Sequence, residues 1–214
     1  MDRRKLVERL SPDNLVAASG LLPEIIGNER LQYTAKTGRG EEALELMHAG
    51  GYSSGDKPLR IWVLDSPEEL RIAEEISTQW KESLGIEVEI SAKDVDSLLK
   101  AGIDDFDIMA NHFQAAVYDP LVFLELFENP VWRLQNKSFW QNSTYDSLLR
   151  EIKSLPVGES RDRAILAAER LLSEELPFLP LFSPTESYLV PEGYIVREHP
   201  SGGLDLVVFN KGLN

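Results

Sequence analysis

Between residues 111 and 120 the chain reads Asn111-His112-Phe113-Gln114-Ala115-Ala116-Val117-Tyr118-Asp119-Pro120, directly behind the apolar run Phe106-Asp107-Ile108-Met109-Ala110. Amides orient peptide groups through hydrogen bonds, and aromatic faces stack on apolar side chains, so this composition suits a peptide-like ligand. In open α/β sheets ligands sit outside the carboxyl ends of strands, and a loop following residues 106–110 falls there. Asn111, His112, Phe113, Gln114 and Tyr118 are therefore candidate ligand-binding residues. The competing account is a loop whose aromatics pack beneath the helix that starts at Pro120. Spacing alone does not separate the two.

Other chemistry is weaker. Ser97-Leu98-Leu99-Lys100 has the Ser-x-x-Lys spacing of some acylating enzymes, but no partner motif accompanies it and the segment scans as an amphipathic helix. Gly38-Arg39-Gly40 lacks the third glycine and the preceding strand of a phosphate cradle. His48, His112 and His199 stand far apart, in no metal-ligand spacing. Asp104, Asp105 and Asp107 lack the loop pattern and closing glutamate of a calcium site, and read as a solvated strand entry. The sequons at Asn136 and Asn142 have meaning only in a eukaryotic secretory setting. The sequence points to no catalytic residue, no metal ligand set and no cofactor.

Composition narrows the partners. Of 214 residues, 36 are acidic and 22 basic, a net charge of −14. That argues against nucleic acid and anionic membrane surfaces, both of which are bound through lysine and arginine. Hydrophobic residues at 43% describe a globular chain with one large domain or two small ones. No apolar run reaches the ~20 residues of a membrane helix, so direct membrane insertion is not expected. The absence of cysteine removes disulfides and thiol chemistry. Met1-Asp2-Arg3-Arg4-Lys5 leads into Leu6-Val7-Glu8-Arg9 instead of a signal-peptide core, and the start reads as mid-helix, as in an excised domain.

The elements that position the loop are legible in part. Residues 59–64 are a short β-rich run. Ser66-Pro67-Glu68-Glu69 follows with an N-cap, a first-turn proline and a glutamate that closes a capping box. Leu70, Ala73, Ile76, Trp80 and Leu84 mark a buried helical face, Gly85 ends the helix and residues 86–90 alternate as a strand. A helix of that length between two strands predicts a parallel, right-handed crossover. Further helices are expected over residues 3–10, 13–19, 41–49, 95–100, 120–127, 144–153 and 161–175, the last burying Ile165, Ala168, Leu171 and Leu172. Strands are expected over 106–110 and 178–182, the latter at an edge because of Pro180, with two short ones near 194–197 and 204–209. Proline- and glycine-rich punctuation makes residues 183–214 read as an appendage.

Several stretches, in order, resemble the carboxyl-terminal lobe of the family 5 extracellular solute-binding proteins, the oligopeptide, dipeptide and nickel receptors of bacterial ABC importers. They are Asp2-Arg3-Arg4-Lys5-Leu6-Val7, Gly20-Leu21-Leu22-Pro23, Ala43-Leu44-Glu45-Leu46-Met47-His48-Ala49-Gly50-Gly51-Tyr52 and Trp80-Lys81-Glu82-Ser83-Leu84-Gly85-Ile86-Glu87-Val88. Phe106-Asp107-Ile108, Tyr118-Asp119-Pro120 with Phe123-Leu124, Tyr145-Asp146-Ser147-Leu148-Leu149, Arg161 to Glu169 and Leu176-Pro177-Phe178-Leu179-Pro180-Leu181-Phe182 complete the series, which spans nearly the whole chain.

The resemblance implies an α/β, periplasmic-binding-protein-like lobe of type II, a mixed sheet flanked by helices. Residues 1–182 would form the second lobe of a two-lobed receptor, and residues 183–214 the return toward the first. It implies a ligand-binding lobe for oligopeptides or related solutes that closes about a hinge. Its partners would be a peptide or small solute, the first lobe and the permease subunits. Its location would be extracytoplasmic, periplasmic or lipid-anchored. The alternative is a solute-sensing domain of a cytoplasmic transcriptional regulator with the same fold. Peptide-binding members carry Trp-x-Ala-Asp-Tyr before Asp-Pro, whereas this chain has Phe113-Gln114-Ala115-Ala116-Val117. Ala116 thus stands where the family's aspartate meets a free amino terminus, which makes it a sixth candidate site position.

Overall fold

The computed structural model describes residues 1–22, 38–52, 57–115, 117, 119–129, 137–185, 189–190, 192, 194–198 and 204–208. In chain order these form α1 (Arg3–Leu10), β1 (Leu15–Ala17), α2 (Gly40–Ala49), β2 (Leu59–Leu64), α3 (Pro67–Leu84), β3 (Val88–Lys93), α4 (Val95–Lys100) and β4 (Ile108–Met109). There follow α5 (Pro120–Leu124) with a 3₁₀ turn at Glu125–Phe127, α6 (Ser143–Ser154), α7 (Glu159–Glu175), β5 (Phe182–Pro184), β6 (Tyr194–Glu198) and β7 (Leu204–Val208).

Local chemistry fixes α3. The Ser66 hydroxyl accepts the Glu69 N–H at 3.2 Å, Pro67 occupies the first turn, and Gly85 closes the helix at φ 68°, a left-handed conformation that glycine adopts without strain. The helix returns the chain so that β3 lies parallel to β2, in register from Leu59↔Val88 to Leu64↔Lys93. β4 pairs parallel on the other flank of β2 through Ile61↔Ile108 and Trp62↔Met109, giving the order β3-β2-β4. Ile61 and Val63 are buried against Ile72, Ala73 and Ile76 of α3 and Leu6 of α1. Two buried polar groups dock α1: Gln79 Oε1 accepts the Asp2 N–H at 2.8 Å, and Arg3 Nε donates to the Pro180 carbonyl at 2.5 Å.

A second cluster gathers α5, α6 and α7. Leu124, Tyr145, Leu149, Ile152, Ala168 and Leu172 are all buried in it, and the Tyr145 hydroxyl donates to the Leu124 carbonyl at 2.7 Å. Polar groups close its end: Trp140 Nε1 and Asn142 Nδ2 both donate to the Glu175 carboxylate, at 2.5 and 2.7 Å.

Several expectations change. Residues 13–19 are not a helix, because 15–17 form β1, paired antiparallel with β5 from Leu15↔Pro184 to Ala17↔Phe182. Pairing across the chain overrides the local helical tendency. The strand expected over 178–182 starts instead at Phe182, since the Pro180 carbonyl is engaged by Arg3 and the β1 ladder runs from Ala18 N–H→Leu181 O to Thr185 N–H→Asn14 O. β3 begins at Val88, not at residue 86, the position at which β2 supplies a partner for it. The buried face of α3 centres on Ile72, Ala73, Ile76 and Gln79, with Leu70 and Trp80 on its flanks, and Leu171 of α7 is only half-buried. The parallel and antiparallel ladders lie in separate sheets among the described residues, β6 and β7 forming a hairpin of their own.

The entry to β4 is clamped by Arg60. Its guanidinium meets Asp107 at 3.1 and 3.2 Å and the carbonyls of Asp104 and Asp105 at 2.9 and 3.2 Å, while its N–H donates to Asp107 Oδ2 at 2.8 Å. Those side-chain and backbone hydrogen bonds from Arg60 hold the Asp107 carboxyl below the usual carboxylate range. A depressed folded-state value stabilises the fold above the unfolded-state pKa of about 3.9, and that stabilisation is lost as pH falls through the folded value. Asp107→Asn should therefore lower the urea midpoint at pH 7 and leave it unchanged near pH 2. An equal loss at both pH values would show that the carboxylate charge is not what holds β4.

Candidate functional site

Because β2, β3 and β4 run parallel, their carboxyl ends at Leu64, Lys93 and Met109 share one edge. The chain leaves β2 toward β3 and then crosses to β4 on the opposite flank, so the strand order reverses between β2 and β4. In open α/β sheets such a reversal is where a ligand crevice lies, here between the segment after β2 and the loop after β4. The first turn of α3 follows β2 and residues 110–115 follow β4.

One contact spans the crevice. His112 Nδ1 lies 3.2 Å from Glu69 Oε1, with the His112 side chain 79% exposed and that of Glu69 14%. The capping box expected at Ser66–Glu69 is only half formed. The Ser66 N–H donates to the Leu64 carbonyl at 2.8 Å, so the Glu69 carboxylate turns toward the loop.

Phe113 combines the two accounts open at the sequence level. Its ring meets the buried Phe123 edge-on, at 5.3 Å and 80°, yet 36% of the residue is exposed. Asn111 and Gln114 are exposed, Ala115 packs on the second cluster, and Val117 is exposed. Ala116 and Tyr118 lie outside the described residues.

The far end of the loop is pinned. The Asp119 carboxylate accepts the Leu121 N–H at 2.8 Å, capping α5, and receives Arg161 Nη2 at 2.8 and 2.9 Å. The Arg161 side chain, on α7, is 11% exposed. Asp119 was readable from sequence as a polar residue before a first-turn proline. Arg161 was not, since nothing local marks a partner 42 positions away.

On the face of β2 away from α3, Lys93 Nζ sits 4.4 Å over the Trp62 ring, which meets Phe106 at 5.8 Å, and Phe106 meets Phe139 at 6.3 Å. This aromatic row runs from Trp62 back toward the entry of β4.

The remaining candidates take structural parts. Asp94 caps α4 through the Ser97 N–H at 2.7 Å, and hydrogen bonds from the Ser97 backbone and hydroxyl hold its carboxyl below the usual range. Lys100 pairs with Asp96 at 2.5 Å, so Ser97 and Lys100 make no dyad. Asn142 caps α6 through the Thr144 and Tyr145 N–H groups at 2.9 and 3.1 Å. His199 lies outside the described residues, and among those described no three metal-binding side chains converge.

No family model matches the chain. The dipeptide-binding protein DppE of Bacillus subtilis is 32% identical over 143 residues, covering 65% of this chain and 26% of that protein. The periplasmic murein peptide-binding protein MppA of Escherichia coli is 25% identical over 209 residues, covering 89% of this chain and 36% of that protein.

This chain is similar in sequence to dipeptide- and oligopeptide-binding proteins.

It spans roughly a quarter to a third of the length of these two curated relatives, by the 26% and 36% shares just given. The open, unliganded structure of the murein tripeptide-binding protein MppA superposes with a TM-score of 0.79 at 23% identity, covering 93% of this chain and 39% of that one. The fold of this chain is thus a type II periplasmic-binding-protein lobe. Among its described residues no helix is long and apolar enough to cross a membrane.

In this lobe the Arg161–Asp119 pair should set the order of the loop. Arg161→Ala should cost about 1–3 kcal/mol, since it strips a partly buried carboxylate of its charged partner. Amide hydrogen exchange at residues 111–121 should quicken well beyond that of α6, and Arg161→Lys should restore part of the protection. Uniform acceleration across α5, α6 and α7 would instead mark a general packing role.

Proposed function

We propose that this chain is the ligand-binding lobe of an ABC-importer substrate-binding protein for oligopeptides or related solutes. On this reading residues 1–182 form one lobe of a two-lobed receptor and residues 183–214 return toward the other. It is a binding protein and not an enzyme. Its partners are the ligand, the other lobe and the permease, and it works on the extracytoplasmic side.

The observation that carries the reading is the placement of residues 111–115. They follow a parallel strand at the point where strand order reverses, with Asn111, His112, Phe113 and Gln114 presented to solvent. Both loop ends are anchored, by β4 and by the Asp119–Arg161 pair, so the exposed groups are held in place without being buried. The names of the homologues give the chemistry: one binds dipeptides and one murein peptides. A peptide suits the loop, because Phe113 offers an aromatic face and the amides offer orienting donors and acceptors. Peptide-binding relatives also favour the importer reading over a transcriptional regulator.

A lobe that supplies one wall of a cleft should bind at millimolar concentration. Mixed di- to pentapeptides titrated into the ¹⁵N-labelled chain should shift the amide resonances of residues 62–69, 91–95 and 109–119, and few others. Saturating shifts confined to the outer faces of α6 and α7, or no shifts at 10 mM (a concentration chosen about ten-fold above the 1 mM that corresponds to −4.1 kcal/mol), would contradict it.

A further inference from the structure

Glu69 is out of balance with its surroundings. Its side chain is 14% exposed, and a carboxylate withdrawn from water needs hydrogen-bond donors or a cation beside it. Among the described residues its side chain has one side-chain partner, His112, whose own side chain is 79% exposed and makes a single contact at 3.2 Å. The cap that would ordinarily engage a glutamate at this position is taken, since the Ser66 N–H donates to Leu64. The carboxylate therefore opens onto the crevice between β2 and β4, behind a side chain that solvent already surrounds.

We infer that Glu69 is the subsite for a cationic group of the ligand, an alkylammonium or a guanidinium, which enters the crevice and displaces His112 from the carboxylate. This deepens the reading above and rests on it. The exchange is favourable on three counts. A permanent cation with several N–H donors satisfies the carboxylate better than one imidazole nitrogen, and charge-assisted hydrogen bonds are the stronger kind. Swinging His112 away removes one 3.2 Å contact and, among the described residues, no other hydrogen bond of its side chain. A chain of net charge −14 also draws cations toward its surface. Phe113 follows His112 directly and stays seated on Phe123, so the loop need not be remade when the imidazole leaves.

The cation has two possible sources, the peptide's amino terminus or a lysine or arginine side chain. Three probes separate them: Ala-Ala-Ala, its N-acetyl form, and N-acetyl-Ala-Lys-Ala, titrated into the ¹⁵N-labelled wild type and Glu69→Gln. The substitution leaves the Glu69 N–H to Ser66 in place, so the helix cap is kept. For whichever probe carries the recognised cation, Glu69→Gln should weaken binding about ten-fold, a free-energy difference of ~1.4 kcal/mol. The N-acetyl trialanine should bind both proteins alike. His112→Ala should tighten the cationic probe about two-fold, since the competing group is gone. Binding of all probes at residues 109–119 with no effect of Glu69→Gln would overturn this inference and leave the peptide-binding reading standing. A weakening by His112→Ala would overturn the displacement. No binding of any probe would overturn both.

Discussion

β2 is hydrogen-bonded along both edges by parallel strands, β3 on one side and β4 on the other, while Ile61 and Val63 press into α3 and α1. This double pairing is the constraint that everything else obeys. Parallel strands must end on the same edge, and each return to that edge's far side needs a crossover. Three segments are thereby forced together: the first turn of α3, the first turn of α4, and the loop after β4. Two of the three begin with a capped helix, so their positions are fixed by Ser66 and Asp94 as well as by the sheet.

The loop also joins the two buried clusters formed by the described residues. It leaves β4 in the cluster built on Ile61 and Val63, and enters α5 in the cluster built on Tyr145 and Leu149. Phe113 reaches Phe123 and Asp119 reaches Arg161, so the second cluster holds the loop by one aromatic contact and one ion pair. A segment tied at both ends presents Asn111, His112 and Gln114 to solvent while Phe113 and Ala115 rest on the second cluster. That is the physical reason exposed amides and an aromatic face persist at this edge.

How much could be read beforehand depended on how local the cause was. α3 was legible because its cap, first-turn proline and closing glycine lie within the element itself. Its crossover followed from the strands at either end. β1 was not legible: its three residues become a strand only by meeting β5 nearly the full chain away. The same remoteness hid the start of β5, which depends on what Arg3 does to Pro180. At the site, residues 111–114 could be picked out because their types are unusual behind a strand. Glu69 was noticed only as a capping residue, and its second face became visible once Ser66 was seen to donate elsewhere. Arg161 was read as part of a helix, with nothing local to mark Asp119 as its partner. Sequence therefore located the loop, and tertiary geometry supplied the groups that hold and complete it.

The central claim is that ligand meets this lobe at the carboxyl edge of the parallel sheet. Photo-crosslinking tests it most directly, using a short peptide with one benzophenone side chain and mass-spectrometric mapping of the attachment sites. Attachments should fall within residues 64–69 and 110–119 and should disappear under competition by the unlabelled peptide. Saturable attachments on α2, or on the outer faces of α6 and α7, would contradict the account.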